Sequence, residues 1–115
     1  MLVIDDSLDY LRSMVLLLRS MGHTANFAIN ATAAIPVARR FQPDLVLLDV
    51  GLPDGDGREL VSVLRREAGL AEVQIICVTG RQHEDPRRSL EAGCNAHFVK
   101  PMDAATLQRV LARDL

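Results

Sequence analysis

The chain has 115 residues, 49% of them hydrophobic, with thirteen basic against fifteen acidic side chains and a formal charge of −2. That size holds one ordinary globular core and therefore one principal site, and with no segment that concentrates positive charge the chain is excluded as a direct nucleic-acid binder or a polyanion-binding surface. No apolar stretch approaches the roughly 20 residues of a membrane span, and acids rather than a basic signal start follow the opening MLVI, so neither membrane insertion nor export is expected.

Segment 1–4 (MLVI) reads as a first strand and hands over to Asp5 and Asp6. Ser7 can cap a helix in which Leu8, Leu11, Val15 and Leu18 recur at the spacing of one buried stripe, ending near Gly22. Segment 24–29 (TANFAI) alternates, with Ala25, Phe27 and Ile29 on one face and Thr24, Asn26 and Ala28 on the other, as an edge strand half open to solvent should. Pro36 lies inside the next helical segment, 31–41, and predicts either a start just before it or an irregular first turn. Segment 45–48 (LVLL) is a third strand that ends on Asp49 and the loop GLPDGDG at 51–57. Asp56 with Glu59 three residues on resembles a capping box, opening a helix through about Glu67 that turns Leu60, Val63 and Leu64 inward. A fourth strand, 73–78 (VQIICV), leads to Thr79-Gly80, and Pro86 suits the first turn of a helix that stops at Gly93. The fifth strand, 96–99 (AHFV), leads to Lys100-Pro101, after which Asp103 caps a last helix with Leu107, Val110 and Leu111 on its apolar face. Five strands alternating with helices predict an α/β fold built on a parallel sheet.

Four of the five strands thus end directly on a polar residue: Asp5-Asp6, Asp49, Thr79 and Lys100. In a parallel sheet the strand ends of one polarity share an edge, so these side chains are expected to converge where open α/β sheets bind ligands. Neighbouring carboxylates raise one another's proton affinity, which a divalent cation relieves. Oxygen ligands favour Mg²⁺, with Mn²⁺ as a substitute, held by one or two carboxylates beside a phosphate oxygen. Lys100, the only lysine beside twelve arginines, adds a positive charge, and Thr79 with the following N–H suits phosphoryl oxygens. Such a set is built for a phosphoryl group on a carboxylate, and an Asp can itself be the nucleophile. Cys77 and Cys94, with sixteen residues between them and no CxxC, are expected to be buried free thiols of a reducing cytoplasm. His23, His83 and His97 lack metal-ligand spacing and are expected at the surface or in loops.

Taken together, Asp5-Asp6, Asp49 with GLPDGDG, Thr79-Gly80 and Lys100-Pro101 resemble the CheY-like receiver domain of two-component response regulators over 1–115. The resemblance implies a (βα)5 flavodoxin-like three-layer sandwich whose five-stranded parallel sheet has the order 2-1-3-4-5. It implies that Asp49 accepts a phosphoryl group from a phosphohistidine of a histidine kinase or histidine phosphotransfer domain. Asp6, Asp49 and the Gly51 carbonyl would bind Mg²⁺ directly, and Asp5 largely through water. Thr79, Gly80 and Lys100 would hold phosphoryl oxygens, the Lys100-Pro101 peptide would be cis, and Phe98 would match the family's switch aromatic. The face built from the fourth helix, fifth strand and fifth helix would be read by an output domain or protein, or by a second copy in a phosphorylation-linked homodimer. The variable positions Gly51 and Arg81 flank the path of attacking water and leave the lifetime of the acyl phosphate open. The chain would be a stand-alone regulator, or the receiver of a hybrid sensor kinase or longer regulator, and a signalling domain rather than an enzyme. A second reading, a Mg²⁺-dependent phosphohydrolase of the haloacid-dehalogenase type, needs a general-acid Asp where Gly51 stands. A flavodoxin-like FMN site would need a phosphate loop unlike DDSLD, and a phosphorylation-incompetent interaction module would lack a member of the five-residue set.

Overall fold

The structure, a computed structural model, describes residues 1–80 and 85–112. Its elements run β1 (Leu2–Ile4), α1 (Leu8–Ser20), β2 (Asn26–Ala28), α2 (Ala31–Phe41), β3 (Leu45–Asp49), β4 (Gly51–Leu52), β5 (Gly55–Asp56), α3 (Gly57–Glu67), β6 (Gln74–Thr79), α4 (Pro86–Glu91), β7 (Ala96–Val99) and α5 (Ala104–Leu111). Five strands form one sheet in the order β2-β1-β3-β6-β7, every pairing parallel. Counting only these five, this is the order 2-1-3-4-5. The short β4 and β5 pair antiparallel within the loop after Asp49.

Alternate residues of the central strands serve opposite faces, as the two-residue period of a strand requires. Leu2, Ile4, Val46, Leu48 and Ile75 bury against Ala34 and Ala38 of α2 and Leu60, Val61 and Leu64 of α3. Val3, Leu45, Leu47, Ile76 and Val78 bury against Leu11, Met14, Val15 and Leu18 of α1 and Leu107 and Val110 of α5. A sheet covered on both faces must be apolar throughout, which is why β3 and β6 are continuous hydrophobic runs rather than alternating ones. Each fully buried Leu or Ile contributes about 1.5–3 kcal/mol relative to exposure. No helix among the described residues is long and apolar enough to cross a membrane.

The caps follow the sequence. Ser7 accepts from the Tyr10 N–H at 3.3 Å, Asp103 from Thr106 at 2.8 Å, and Pro86 occupies the first turn of α4 behind the cap Asp85. Asp56 caps α3 by accepting from the Arg58 N–H at 2.9 Å, and among the described residues no reciprocal bond from Glu59 completes a capping box. Several details correct the expectations. Leu8 is 66% exposed, because a first-turn residue reaches beyond the edge of the sheet, and Met14 completes the buried stripe instead. In α3, Val61 is fully buried and Val63 only half-buried. β2 lies at the edge, yet Phe27 and Ile29 are exposed while Ala25 and Ala28 are buried. Phe27 stands beside a shallow groove with Leu8, Leu11 and Arg12 instead of beneath α1.

Helix α2 begins five residues before Pro36 and runs through it. Its start is fixed from outside: Asn30 accepts from Ala33, and Asp54 of the loop after Asp49 accepts from the N–H groups of Ala31 and Thr32 and from the Thr32 hydroxyl. These contacts satisfy first-turn N–H groups that have no acceptor within the helix and so fix its start ahead of Pro36.

Cys77 and Cys94 are not free thiols: they form a disulfide with Cα atoms 6.3 Å apart. Their distance along the chain hid a spatial adjacency, since the Asn95 N–H donates to the Ile75 carbonyl at 2.8 Å and brings the turn after α4 against β6. His97 is not a loop residue either; it lies in β7, with Nδ1 2.7 Å from the hydroxyl of buried Ser89. Arg81 and His83 lie outside the described residues.

Candidate functional site

The ends of β1, β3 and β6, together with the residue after β7, meet at one rim of the sheet. Asp5 follows β1 and is 1% exposed; its backbone N–H donates to the Ala28 carbonyl and its Oδ1 accepts from the Ser7 N–H at 2.9 Å. Asp6 is exposed. Asp49 closes β3 and is 9% exposed, with Oδ1 accepting from the Gly51 N–H at 3.1 Å. One oxygen from each of these three carboxylates lies within 4.8 Å of the others.

Lys100 supplies the positive charge. Its Nζ donates to Asp5 Oδ2 at 2.5 Å, lies 3.8 Å from Asp49 Oδ2, and stands 4.3 Å from the centre of the Tyr10 ring. The Lys100 N–H donates to the carbonyl of buried Thr79 at 2.7 Å, so the two residues are fixed at adjacent strand ends, and the Lys100-Pro101 peptide is cis. Burial raises the Asp49 carboxyl above its usual range, opposed by the Gly51 N–H, then raised by Asp5 and lowered by Lys100. Tyr10 is pushed up to about 12, by burial first and by Asp5 and Asp49 next, so its phenol stays neutral.

A cleft of about 480 Å³ opens over Asp49, Gly51, Thr79, Gly80 and Lys100. Gly57 lets the loop close beneath it. A Cβ there would meet the Asp49 carbonyl oxygen at 2.4 Å, and the Gly57 N–H donates to the Val50 carbonyl at 2.8 Å. Phe98 is half-buried and packs against the core on the α1 and α5 side.

The five residues expected at the rim therefore come together, and three others join them. Arg58 and Asp56 line the cleft, paired at 3.2 Å, with the Arg58 side chain only 10% exposed. Burial pushes Asp56 up, but the Arg58 N–H and guanidinium outweigh it and hold the carboxyl below its ordinary value. Tyr10 is the third. A sequence signal existed for the pair, since an Arg in the first turn of α3 opposes the helix dipole and calls for an acidic partner; Tyr10 carried none, because the Lys100 it meets comes from another element.

The arrangement can hold a divalent cation on oxygen ligands and can place a phosphoryl group between that cation, a lysine and a threonine. A family model described as the response regulator receiver domain matches residues 1–112. Protein PilH of Pseudomonas aeruginosa is 28% identical over 111 residues, covering 96% of this chain and 92% of PilH. The DNA-binding response regulator MtrA of Mycobacterium tuberculosis is 33% identical over 113 residues, 97% of this chain but 49% of MtrA. The chain thus spans nearly all of the first relative and about half of the second. Among solved structures, the chemotaxis response regulator CheY4 of Vibrio cholerae superposes with a TM-score of 0.89 at 25% identity, covering 99% and 96% of the two chains. The BeF3-activated N-terminal receiver domain of Klebsiella pneumoniae RstA superposes with a TM-score of 0.87 at 26% identity, covering 97% and 94%.

Proposed function

The chain belongs to the response regulator receiver domain family, and on that premise we propose that Asp49 accepts a phosphoryl group from a phosphohistidine of a histidine kinase or histidine phosphotransfer domain. One observation carries this reading: the Asp49 carboxylate stands at a strand end within 4.8 Å of two further carboxylates and beside the only lysine of the chain.

Three carboxylates against one ammonium leave an excess of negative charge on oxygen ligands, and that donor set fits Mg²⁺ or Mn²⁺. Asp6, Asp49 and the Gly51 carbonyl would hold the ion, with Asp5 acting largely through water. When bound, the ion supplies charge neutralisation for the carboxylates and for an incoming phosphoryl group. The chain's own residues do the rest. The Gly51 N–H holds Asp49 Oδ1, so Oδ2, on the side of Lys100, is the oxygen left to attack phosphorus. As the new O–P bond forms, the P–N bond to the donor imidazole breaks and its electron pair leaves with the ring. The Thr79 hydroxyl, the Gly80 N–H and Lys100 then bond the phosphoryl oxygens.

Those contacts bias two arrangements of the face made by α4, β7 and α5. Leu90 of α4 and Val99 of β7, 48% and 38% exposed, give that face the apolar surface a partner or a second copy would cover. The near-complete overlap with PilH fits a stand-alone regulator, and the half overlap with MtrA fits the receiver of a longer one. The hydrolase reading finds no support: Gly51 stands where its general acid would be needed.

Incubation with acetyl phosphate and Mg²⁺, read by intact mass, tests the assignment. The expected product carries one acid-labile phosphoryl group, absent from Asp49→Asn and absent when EDTA replaces the metal. Turnover of many small phosphate esters without a labelled protein would establish the hydrolase instead.

A further inference from the structure

Among the described residues the Lys100 ammonium meets Asp5 at 2.5 Å, Asp49 at 3.8 Å, and the Tyr10 ring at 4.3 Å from its centroid. The first two belong to the acceptor site already described, whereas the third comes from α1 and carries no charge. We propose that Tyr10 is a positioning residue, whose ring face holds the Lys100 ammonium in reach of Asp49 before and during phosphorylation. This rests on the acceptor role of Asp49.

Lysine is a compact charge on a four-carbon stem with many rotamers, and at the end of a strand nothing in its own backbone fixes where the ammonium goes. Asp5 alone would draw it toward β1, since that oxygen is the nearer of the two carboxylates. An aromatic face within about 6 Å attracts a cation without competing for its hydrogen bonds, so it can brace the ammonium while leaving its N–H groups for oxygen atoms. Tyr10 is itself set in place by Ser7, which accepts from its backbone N–H at the first turn of α1. The Tyr10 hydroxyl is buried and makes no hydrogen bond among the described residues. The part of the side chain that acts is therefore the ring, and phenylalanine should replace it.

The test measures the rate of Asp49 phosphorylation by acetyl phosphate in Mg²⁺ for the unaltered chain, Tyr10→Phe, Tyr10→Leu, and Tyr10→Leu combined with Lys100→Met. A cation held over a partly desolvated ring predicts a slowing of about fivefold in Tyr10→Leu, near-full rate in Tyr10→Phe, and no further slowing by Tyr10→Leu once Lys100→Met is present. Equal loss in the Phe and Leu variants, no loss in Tyr10→Leu, or the same fivefold loss in the Lys100→Met background would each overturn the proposal, the last by revealing plain packing. Because Lys100 is the only lysine, its side-chain CH₂ resonances can be identified by residue type. Ring-current displacement of those resonances, present in the unaltered chain and in Tyr10→Phe but absent in Tyr10→Leu, reads the contact without any phosphorylation. If the unaltered chain takes no phosphoryl group, the acceptor reading fails, and the Tyr10 contact stands or falls on that displacement alone.

Discussion

Asp54 shows how one loop residue can tie two parts of the molecule together. It sits five residues after the proposed acceptor, yet its carboxylate accepts from Ala31, Thr32 and the Thr32 hydroxyl at the start of α2. The Thr32 hydroxyl, followed by the Thr32 and Ala31 N–H groups, holds its pKa down to about 2. The folded state therefore binds a proton less readily than the unfolded chain, so the stabilisation is complete above the ordinary carboxylate range and fades as pH falls from about 4 toward 2. Asp54→Ala is expected to lower the thermal midpoint at neutral pH, with the gap to the unaltered chain closing over that acidic window in pH-dependent melts. Gly57 is the second such residue. With a Cβ placed 2.4 Å from the Asp49 carbonyl oxygen, Gly57→Ala must move backbone, and the overpacking should cost about 1–3 kcal/mol in urea unfolding while also slowing phosphorylation of Asp49. Asp5, Asp49, Thr79 and Lys100 were legible as a site because each directly follows an apolar run. Asp54 and Tyr10 were not, because their roles depend on partners supplied by other elements.

At the scale of elements, the C-terminal end of α3 is organised by Arg65. Its guanidinium donates to the carbonyls of Leu70, Ala71, Val73 and Gly93 and to the Asn95 side chain, which also accepts from the Ile75 N–H. One planar fork thus joins α3, the connection to β6 and the turn after α4. Arg65→Ala should destabilise the chain by about 2 kcal/mol, as for the loss of charge-assisted hydrogen bonds, and Arg65→Lys should restore little, because a single ammonium cannot span those acceptors. Both are checked by denaturant titration. The elements themselves were readable from periodicity and caps, and where the reading slipped the cause is tertiary. Pro36 is tolerated because Asn30 and Asp54 hold the turn before it. Leu8 fits the apolar stripe of α1 by spacing but stays 66% exposed beside the groove it shares with Phe27. The pairing of Cys77 with Cys94 depends on the packing of the turn after α4 against β6, which no local pattern encodes.

For the molecule as a whole, Lys100 links the two ends of the chain: a residue after the last sheet strand bonds Asp5 after the first, 95 positions away. Because its backbone also bonds Thr79, and β7 packs against α4, the proposed movement of Lys100 toward a phosphoryl oxygen would be passed on to the face of α4, β7 and α5. Lys100→Ala is therefore expected to leave Asp49 open to phosphorylation but to abolish the phosphorylation-dependent change in amide resonances of α4, β7 and α5; a full response in that variant would remove Lys100 from the coupling. The strand order and the layers of helices were legible through resemblance, and the burial pattern explains why those runs were apolar.

The most direct measurement locates the phosphoryl group chemically. After exposure to a phosphohistidine donor, borohydride reduction of an aspartyl phosphate yields homoserine, which peptide mass mapping can place. The account predicts that homoserine appears at position 49 alone and only when Mg²⁺ was present; label at another position, or a chain left unmodified by an active donor with the metal supplied, would contradict it.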